Sequence, residues 1–130
     1  MMDTLAQFLT RIRNAGLAKH EKVDVPSSNM RVGIANILQK NGYIRSFKVV
    51  RDGKQGMMRV YLRYNTKGES VVRNLQRIST PGLRRYVGSK EIPSVINGFG
   101  ITVLSTSKGI MSGDEAKGQN LGGELLFQVW

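Results

Sequence analysis

Residues 57–64, Met57-Met58-Arg59-Val60-Tyr61-Leu62-Arg63-Tyr64, alternate with a period of two. Successive side chains of a strand point to opposite faces, so Met58, Val60, Leu62 and Tyr64 share one face and Met57, Arg59, Tyr61 and Arg63 the other. Residues 43–51 upstream are also strand-like, and the polar connection 52–56 makes the two runs a hairpin. Before that hairpin the period is helical. Thr4 precedes the stripe Leu5, Phe8, Leu9, Ile12, with Gln7 at the capping-box position, and Asn14 and Gly16 are expected to stop this first helix. A second helix is expected from Ser27 or Ser28, just after Pro26, turning Met30, Ile34, Ile37 and Leu38 inward and ending at Asn41 and Gly42. Residues 22–25 between the helices read as a short strand, so the first half is αβαββ.

Downstream the chain is mostly β. Residues 71–78 are strand-like, Thr80-Pro81-Gly82-Leu83 fits a type II turn, and 101–104 form a short apolar strand. Ser112-Gly113-Asp114-Glu115 is a capping box that opens a short helix ending near Gly118 and Asn120, and residues 124–130 close as a strand. The class is α+β: an N-terminal αβαββ half followed by a mostly β C-terminal half with a short helix. The polar stretch 65–70 is the best boundary, giving an N-terminal α/β domain over 1–68 and a β-rich domain over 69–130.

The 130 residues carry 20 Lys plus Arg against 9 Asp plus Glu, a net charge of +11. At this length, about two-thirds of the unfolded chain's surface can be buried, so no metal or disulfide is required. There is no cysteine and one histidine, His20, which excludes thiol chemistry, zinc knuckles and His-rich metal sites. No apolar stretch approaches the roughly 20 residues that span a bilayer, and residues 1–10 lack the pattern of a signal peptide. A cytoplasmic protein is expected, with a polyanionic partner: nucleic acid first, an anionic membrane as the rival. The charge is uneven. Residues 1–65 hold 12 basic and 4 acidic side chains, residues 66–130 hold 8 and 5, and the last forty sum to −2.

The face Arg59, Tyr61, Arg63 has the composition of a sheet that meets RNA, although a solvated sheet face explains it more simply. Arg11, Arg13, Arg31, Arg73, Arg77, Arg84 and Arg85 are individually ordinary surface charges. Collectively they favour a surface that contacts several phosphates. Ser105-Thr106-Ser107-Lys108-Gly109 places three successive hydroxyls, a cation and a glycine after an apolar run. Such hydroxyls can donate to and accept from ribose 2′-hydroxyls and base edges, though composition alone would make the segment a strand-ending turn.

Catalytic patterns fail. Ser105-x-x-Lys108 formally matches the S-x-x-K of serine acylases, but the companion motifs are missing and Ser105 would end a strand instead of opening a helix. Gly113 and Gly118 have phosphate-loop spacing, but Gln119 stands where the lysine belongs. Asp114 and Glu115 read as first-turn residues of a helix. No nucleophile, base and orienting group assemble, and neither a cofactor nor a metal is expected.

Several motifs in register give the chain a family resemblance. Gly100 to Met111, Ala116-Lys117, Leu121-Gly122-Gly123-Glu124, Leu9 to Asn14, Pro26-Ser27-Ser28, Asn41 to Ile44, and Thr80 to Arg84 with Tyr86 fall in the order shown by bacterial small-subunit ribosomal protein eight. The whole chain resembles that family. The resemblance implies a non-enzymatic two-part protein that binds the central domain of small-subunit rRNA early in assembly, beside neighbouring small-subunit proteins. It implies that the C-terminal half is the main reader of a bent, irregular RNA helix. The reading residues would be Ser105, Thr106, Ser107, Lys108 and Gly109, with Tyr86 and with Glu124 after Gly122-Gly123. Arg31 and the first-helix arginines, Arg11 among them, are then phosphate contacts, and Arg84 and Arg85 add further charge. Repression of its own message through an RNA mimic of the site is also implied, with no membrane and no obligate homo-oligomer.

Two positions depart from that family. Phe127 stands where a cysteine is common, and Arg31 replaces a common lysine, which keeps the charge but changes the donor geometry. The competing expectation is a generic basic nucleic-acid binder without site specificity.

Overall fold

A computed structural model describes residues 4–50, 56–95 and 100–130, and the chain divides into two compact units, Met1–Arg73 and Asn74–Trp130. The first unit runs α1 (Thr4–Leu17), β1 (Lys22–Pro26), α2 (Asn29–Lys40), β2 (Ile44–Val50) and β3 (Met57–Leu62), in the order αβαββ. Its antiparallel sheet has the order β1-β3-β2, so the alternating strand over 57–62 is central. Met58, Val60 and Leu62 are buried as the alternation requires. On α1 the stripe Leu5, Phe8, Leu9, Ile12 is buried too, each large side chain contributing about 1.5 to 3 kcal/mol of hydrophobic stabilisation. Most of the connection expected at 52–56 lies outside the described residues.

Three details of this unit differ from expectation. Helix α1 does not stop at Asn14 but continues to Leu17, because Gly16 serves close packing: a Cβ there would lie 2.8 Å from Ser70 Oγ. Helix α2 begins after Ser28 as expected, and the Ser28 Oγ accepts the Arg31 N–H at 3.2 Å. Its inward face takes Arg31 and leaves Met30 40% exposed. Met30 sits in the first turn, where a side chain leans past the end of the packed layer. The polar residues at 65–70 form a turn that returns the chain to the end of β3. Ser70 bridges to Tyr64, Val71 N–H donates to Arg63 O, and Asn65 Oδ1 accepts the Lys67 and Glu69 N–H groups.

The second unit contains β4 (Leu75–Arg77), β5 (Tyr86–Val87), a 3-10 turn (Ser89–Glu91), β6 (Ile101–Thr106), β7 (Gly109–Ser112), α3 (Gly113–Gly118) and β8 (Gly123–Val129). The sheet order is β4-β8-β6-β7, and β5 also pairs with β8. One face packs Leu104, Met111 and Leu125 against Ala116 of α3 and Ile92. Val103, Phe127 and Val129, also fully buried, belong to the other face. The register between β6 and β8 shifts between the pairs Val103–Phe127 and Leu104–Leu125, and this bulge lets Leu125, Leu126 and Phe127 all be buried in succession.

Here the strand expected over 71–78 shrinks to three residues, while β6 extends two residues further than expected, through Ser105 and Thr106. Strand β7 and the short β5 were not anticipated. Thr80 and Leu83 exchange both backbone hydrogen bonds, but Gly82 has no positive φ, so the turn is not type II. The Ser112 cap is present: its Oγ accepts the Glu115 N–H at 3.3 Å.

The three α-helices among the described residues end in the same way. The third residue beyond each helix donates back six-to-one, in the bonds His20 N–H to Ala15 O, Tyr43 N–H to Leu38 O and Leu121 N–H to Ala116 O. In each case the preceding residue is left-handed, with φ of 59 at Lys19, 80 at Gly42 and 58 at Asn120. These are Schellman endings, whose left-handed slot favours glycine and then asparagine. Lysine is the outlier.

Candidate RNA interface

The hydroxyl-rich segment folds as a tight hairpin instead of a free loop. Ser105 and Thr106 end β6, Ser107-Lys108 form the turn, and Gly109 opens β7 with a φ of 111. That conformation suits only glycine at low strain. Thr106 Oγ1 accepts the Lys108 N–H at 3.2 Å and donates to Gly109 O at 2.8 Å. Thr106 therefore braces the turn, while Ser107 and Lys108 project from it exposed.

Beside the hairpin, pairing registers create a row across the strands. Tyr86 of β5 pairs with Glu124 of β8, which pairs with Ser105 of β6, which pairs with Ile110 of β7. Directly paired residues share a face, so Tyr86, Glu124 and Ser105 stand side by side. Leu104 and Leu125, next along their strands, alternate to the opposite face and pack with α3. Tyr86 is 65% exposed, the remaining two half-buried.

Gly122 and Gly123 make this row attainable. A Cβ on Gly123 would lie 2.2 Å from Ser105 O, and one on Gly122 would lie 2.3 Å from Val87 O. Side chains there would push β6 and β5 away from β8. The loop that carries exposed Arg84 and Arg85 into β5 is pinned by buried Ser79. Its Oγ accepts the Arg85 N–H at 2.9 Å, and Arg85 O accepts the Leu125 N–H at 2.9 Å. Sequence reasoning missed Ser79, and it missed that Ile110 completes the row. The apolar run after Gly109 was a hairpin signal that could have revealed β7.

In the first unit the expected phosphate contacts are placed differently. Arg31 is only 8% exposed, and its guanidinium donates to Pro26 O at 2.6 Å and Thr4 O at 3.1 Å. Arg11 is exposed and donates to Asp24 O at 2.8 Å. On the sheet face, Arg59 grips Asp24 with two bonds of 2.8 and 3.2 Å. The Arg59 hydrogen bond holds the Asp24 carboxyl below the usual range, and Asp24 in turn pushes the guanidinium of Arg59 up. Arg45 lies over the Tyr61 ring at 5.4 Å, and Arg63 Nη1 donates to Gly42 O at 3.3 Å. Much of the Arg59, Tyr61, Arg63 face is thus satisfied within the unit. Burial raises the phenol pKa of both Tyr43 and Tyr64.

Among the described residues no group of three or more His, Cys, Asp or Glu is placed to hold a metal. Ser105 lies in a strand and Lys108 at a hairpin tip, a different setting from the helix start of a serine acylase. Among the described residues no helix is long and apolar enough to cross a membrane. Fold and site together define a two-unit α+β protein whose candidate interface is a hairpin and a strand row. A family model described as ribosomal protein S8 matches residues 3–130. Curated relatives agree over their full length. A Bdellovibrio bacteriovorus protein named small ribosomal subunit protein uS8 is 60% identical over 129 residues, 99% of this chain and all of that one. Proteins of the same name from Geobacter metallireducens and Streptococcus uberis are 53% and 51% identical, each match covering 100% of this chain and 98% of theirs. The chain belongs to the ribosomal protein S8 family, whose members are structural, non-enzymatic parts of the ribosome.

Proposed function

We propose that this protein is a structural component of the small ribosomal subunit in the cytoplasm that binds small-subunit rRNA directly, in the central domain, and helps that RNA to assemble beside neighbouring ribosomal proteins. The observation that carries the reading is the exposed Ser107-Lys108 tip standing beside the Tyr86–Glu124–Ser105 row. An A-form RNA helix hides its base edges in a deep, narrow groove, so recognition works through ribose hydroxyls, shape, or bases splayed from an irregular site. Ser105 and Ser107 supply adaptable hydroxyls and Tyr86 a planar surface for stacking. Glu124 is repelled by phosphate, so near RNA its carboxylate is useful only as an acceptor for amino or hydroxyl groups. Lys108, Arg84 and Arg85 meet phosphates.

Thr106, Gly109, Gly122 and Gly123 act by positioning this surface. Arg31 is excluded from the phosphate set, since its guanidinium faces internal carbonyls. A message segment that folds like the rRNA site would occupy the same surface, which is the chemical basis for repression of the protein's own translation.

The test is binding of the full chain to a central-domain rRNA fragment and to a perfect duplex of equal length, each competed with duplex DNA. Much tighter binding to the fragment is expected. Equal affinities would leave only the generic basic binder.

A further inference from the structure

Three cations from three parts of the first unit meet at one cleft. Lys19, Arg45 and Arg63, with Glu21, Leu62 and Tyr64, line an open cavity of about 590 Å³. Lys19 and Arg45 are each placed there by a local departure from regular backbone. Lys19 occupies the left-handed slot that ends α1, where α2 has Gly42 and α3 has Asn120. A lysine in that slot is strained and lacks the local hydrogen bonding that makes asparagine tolerable. Arg45 is the extra residue of a β-bulge, since Ile44 pairs with Leu62 and Ser46 with Tyr61. Bulges re-aim side chains, and here the guanidinium lies over Tyr61. Arg63 follows β3 and is steadied by Gly42 O. Tyr64 fastens the whole corner, its hydroxyl donating its one proton to His20 O, with Ala15 O a weaker contact at 3.4 Å on the other side of the Lys19 turn.

The lining is unbalanced in charge. Glu21 is its one carboxylate, 3.5 Å from Arg45, with both side chains largely in solvent at 73% and 59% exposure. Such a pair is weak and screened, so it does not neutralise the cleft. A strained lysine is unfavourable for the fold alone, and its convergence with two arginines gives it a role in holding an anion.

We propose that this cleft holds a backbone phosphate of the RNA, a docking point on the first unit that adds affinity without reading sequence. It rests on the RNA-binding reading above and supplies what Arg31 does not. Arginine offers a planar fork to phosphate oxygens and lysine a compact charge. The planar guanidinium of Arg45, 5.4 Å from the centre of the Tyr61 ring, gives the adjoining ribose or base a flat surface. An acidic protein segment would use the charge but not that surface, so RNA is the better occupant.

The experiment uses the full chain and in vitro transcribed small-subunit rRNA, with affinity measured against salt. The variant is Lys19→Gly with Arg63→Gln, and Ser107→Ala runs beside it. Lys19→Gly relieves the strained slot, so that single variant melts no lower than wild type. The double variant is expected to reduce the log–log salt slope by about 1 to 2 and to weaken binding about tenfold or more at physiological salt. An unchanged slope overturns the cleft; if Ser107→Ala still weakens binding, the RNA reading survives that result. Loss of binding to a polyglutamate peptide with the rRNA slope intact also overturns it, in favour of a protein occupant. If wild type fails to prefer the rRNA fragment over a perfect duplex, the reading above falls while the slope still decides the cleft.

Discussion

Gly123 faces Ser105 so closely that a Cβ on the glycine would sit 2.2 Å from the Ser105 carbonyl oxygen. The obstacle is backbone, which cannot swing aside as a side-chain tip can. Gly123→Ala is therefore expected to part β6 from β8 at the row that holds Glu124, destabilising the protein by about 2 to 4 kcal/mol. The melting temperature should fall by several degrees, and rRNA-fragment affinity should fall even well below the melt. Unchanged affinity at low temperature would show that the spacing of the row is irrelevant to binding.

Ser107 and Thr106 are neighbours with different expected roles. Ser107→Ala removes an exposed hydroxyl, so the melt should not move while the specific complex weakens by about 1 to 3 kcal/mol with the same salt slope. Thr106→Val removes the brace between Lys108 N–H and Gly109 O. It should lower the melting temperature and increase amide exchange at the hairpin tip. A Thr106 variant with wild-type exchange and weakened binding would make Thr106 a direct contact.

Arg31 should behave as a buried brace. Arg31→Ala leaves the carbonyls of Pro26 and Thr4 without their charged donor, and is expected to cost about 2 to 4 kcal/mol in chemical denaturation. The salt slope of RNA binding should stay within error. A slope lowered by about one unit with little loss of stability would restore Arg31 as a phosphate contact.

The Asp24–Arg59 pair sets a pH dependence. The Arg59 hydrogen bond makes Asp24 in the folded protein titrate below its ordinary value of 3.8, so the unfolded chain binds its proton first on acidification. Its stabilising contribution is complete above about pH 5 and is lost as pH falls through the lowered folded value. Melting temperature should thus fall less steeply between pH 5 and pH 2 in Asp24→Asn than in wild type. Parallel curves would mean the pair is silent in solution, a common fate of exposed ion pairs.

Phe127 is fully buried, so the family position commonly held by cysteine is here a core position. Phe127→Ala is expected to destabilise by about 3 to 5 kcal/mol through a cavity, measured by urea denaturation. RNA affinity should persist wherever the variant remains folded.

What could be read from the sequence was what is local in the chain. The stripe Leu5, Phe8, Leu9, Ile12 and the caps at Ser28 and Ser112 depend on residues within a turn or two of one another, and all are present. Strands β5 and β7 were missed because two to four residues carry little periodicity, and their existence rests on pairing with distant partners. Arg31 was expected at the surface by its type, and the fold buries it. An arginine looks like surface until the folded chain supplies carbonyls for its guanidinium. At the hairpin the run of hydroxyls stood out, but that Thr106 bonds within the turn while Ser107 is exposed depends on contacts that composition does not encode.

Strand β8 is the last element in chain order, yet β4, β5 and β6 all pair with it. During synthesis the first unit has all its strands while β8 is still to be made. The Tyr86–Glu124–Ser105 row cannot exist until β8 emerges. A nascent chain thus lacks that row until translation has passed Glu124, so the order of synthesis itself sets when the row is complete.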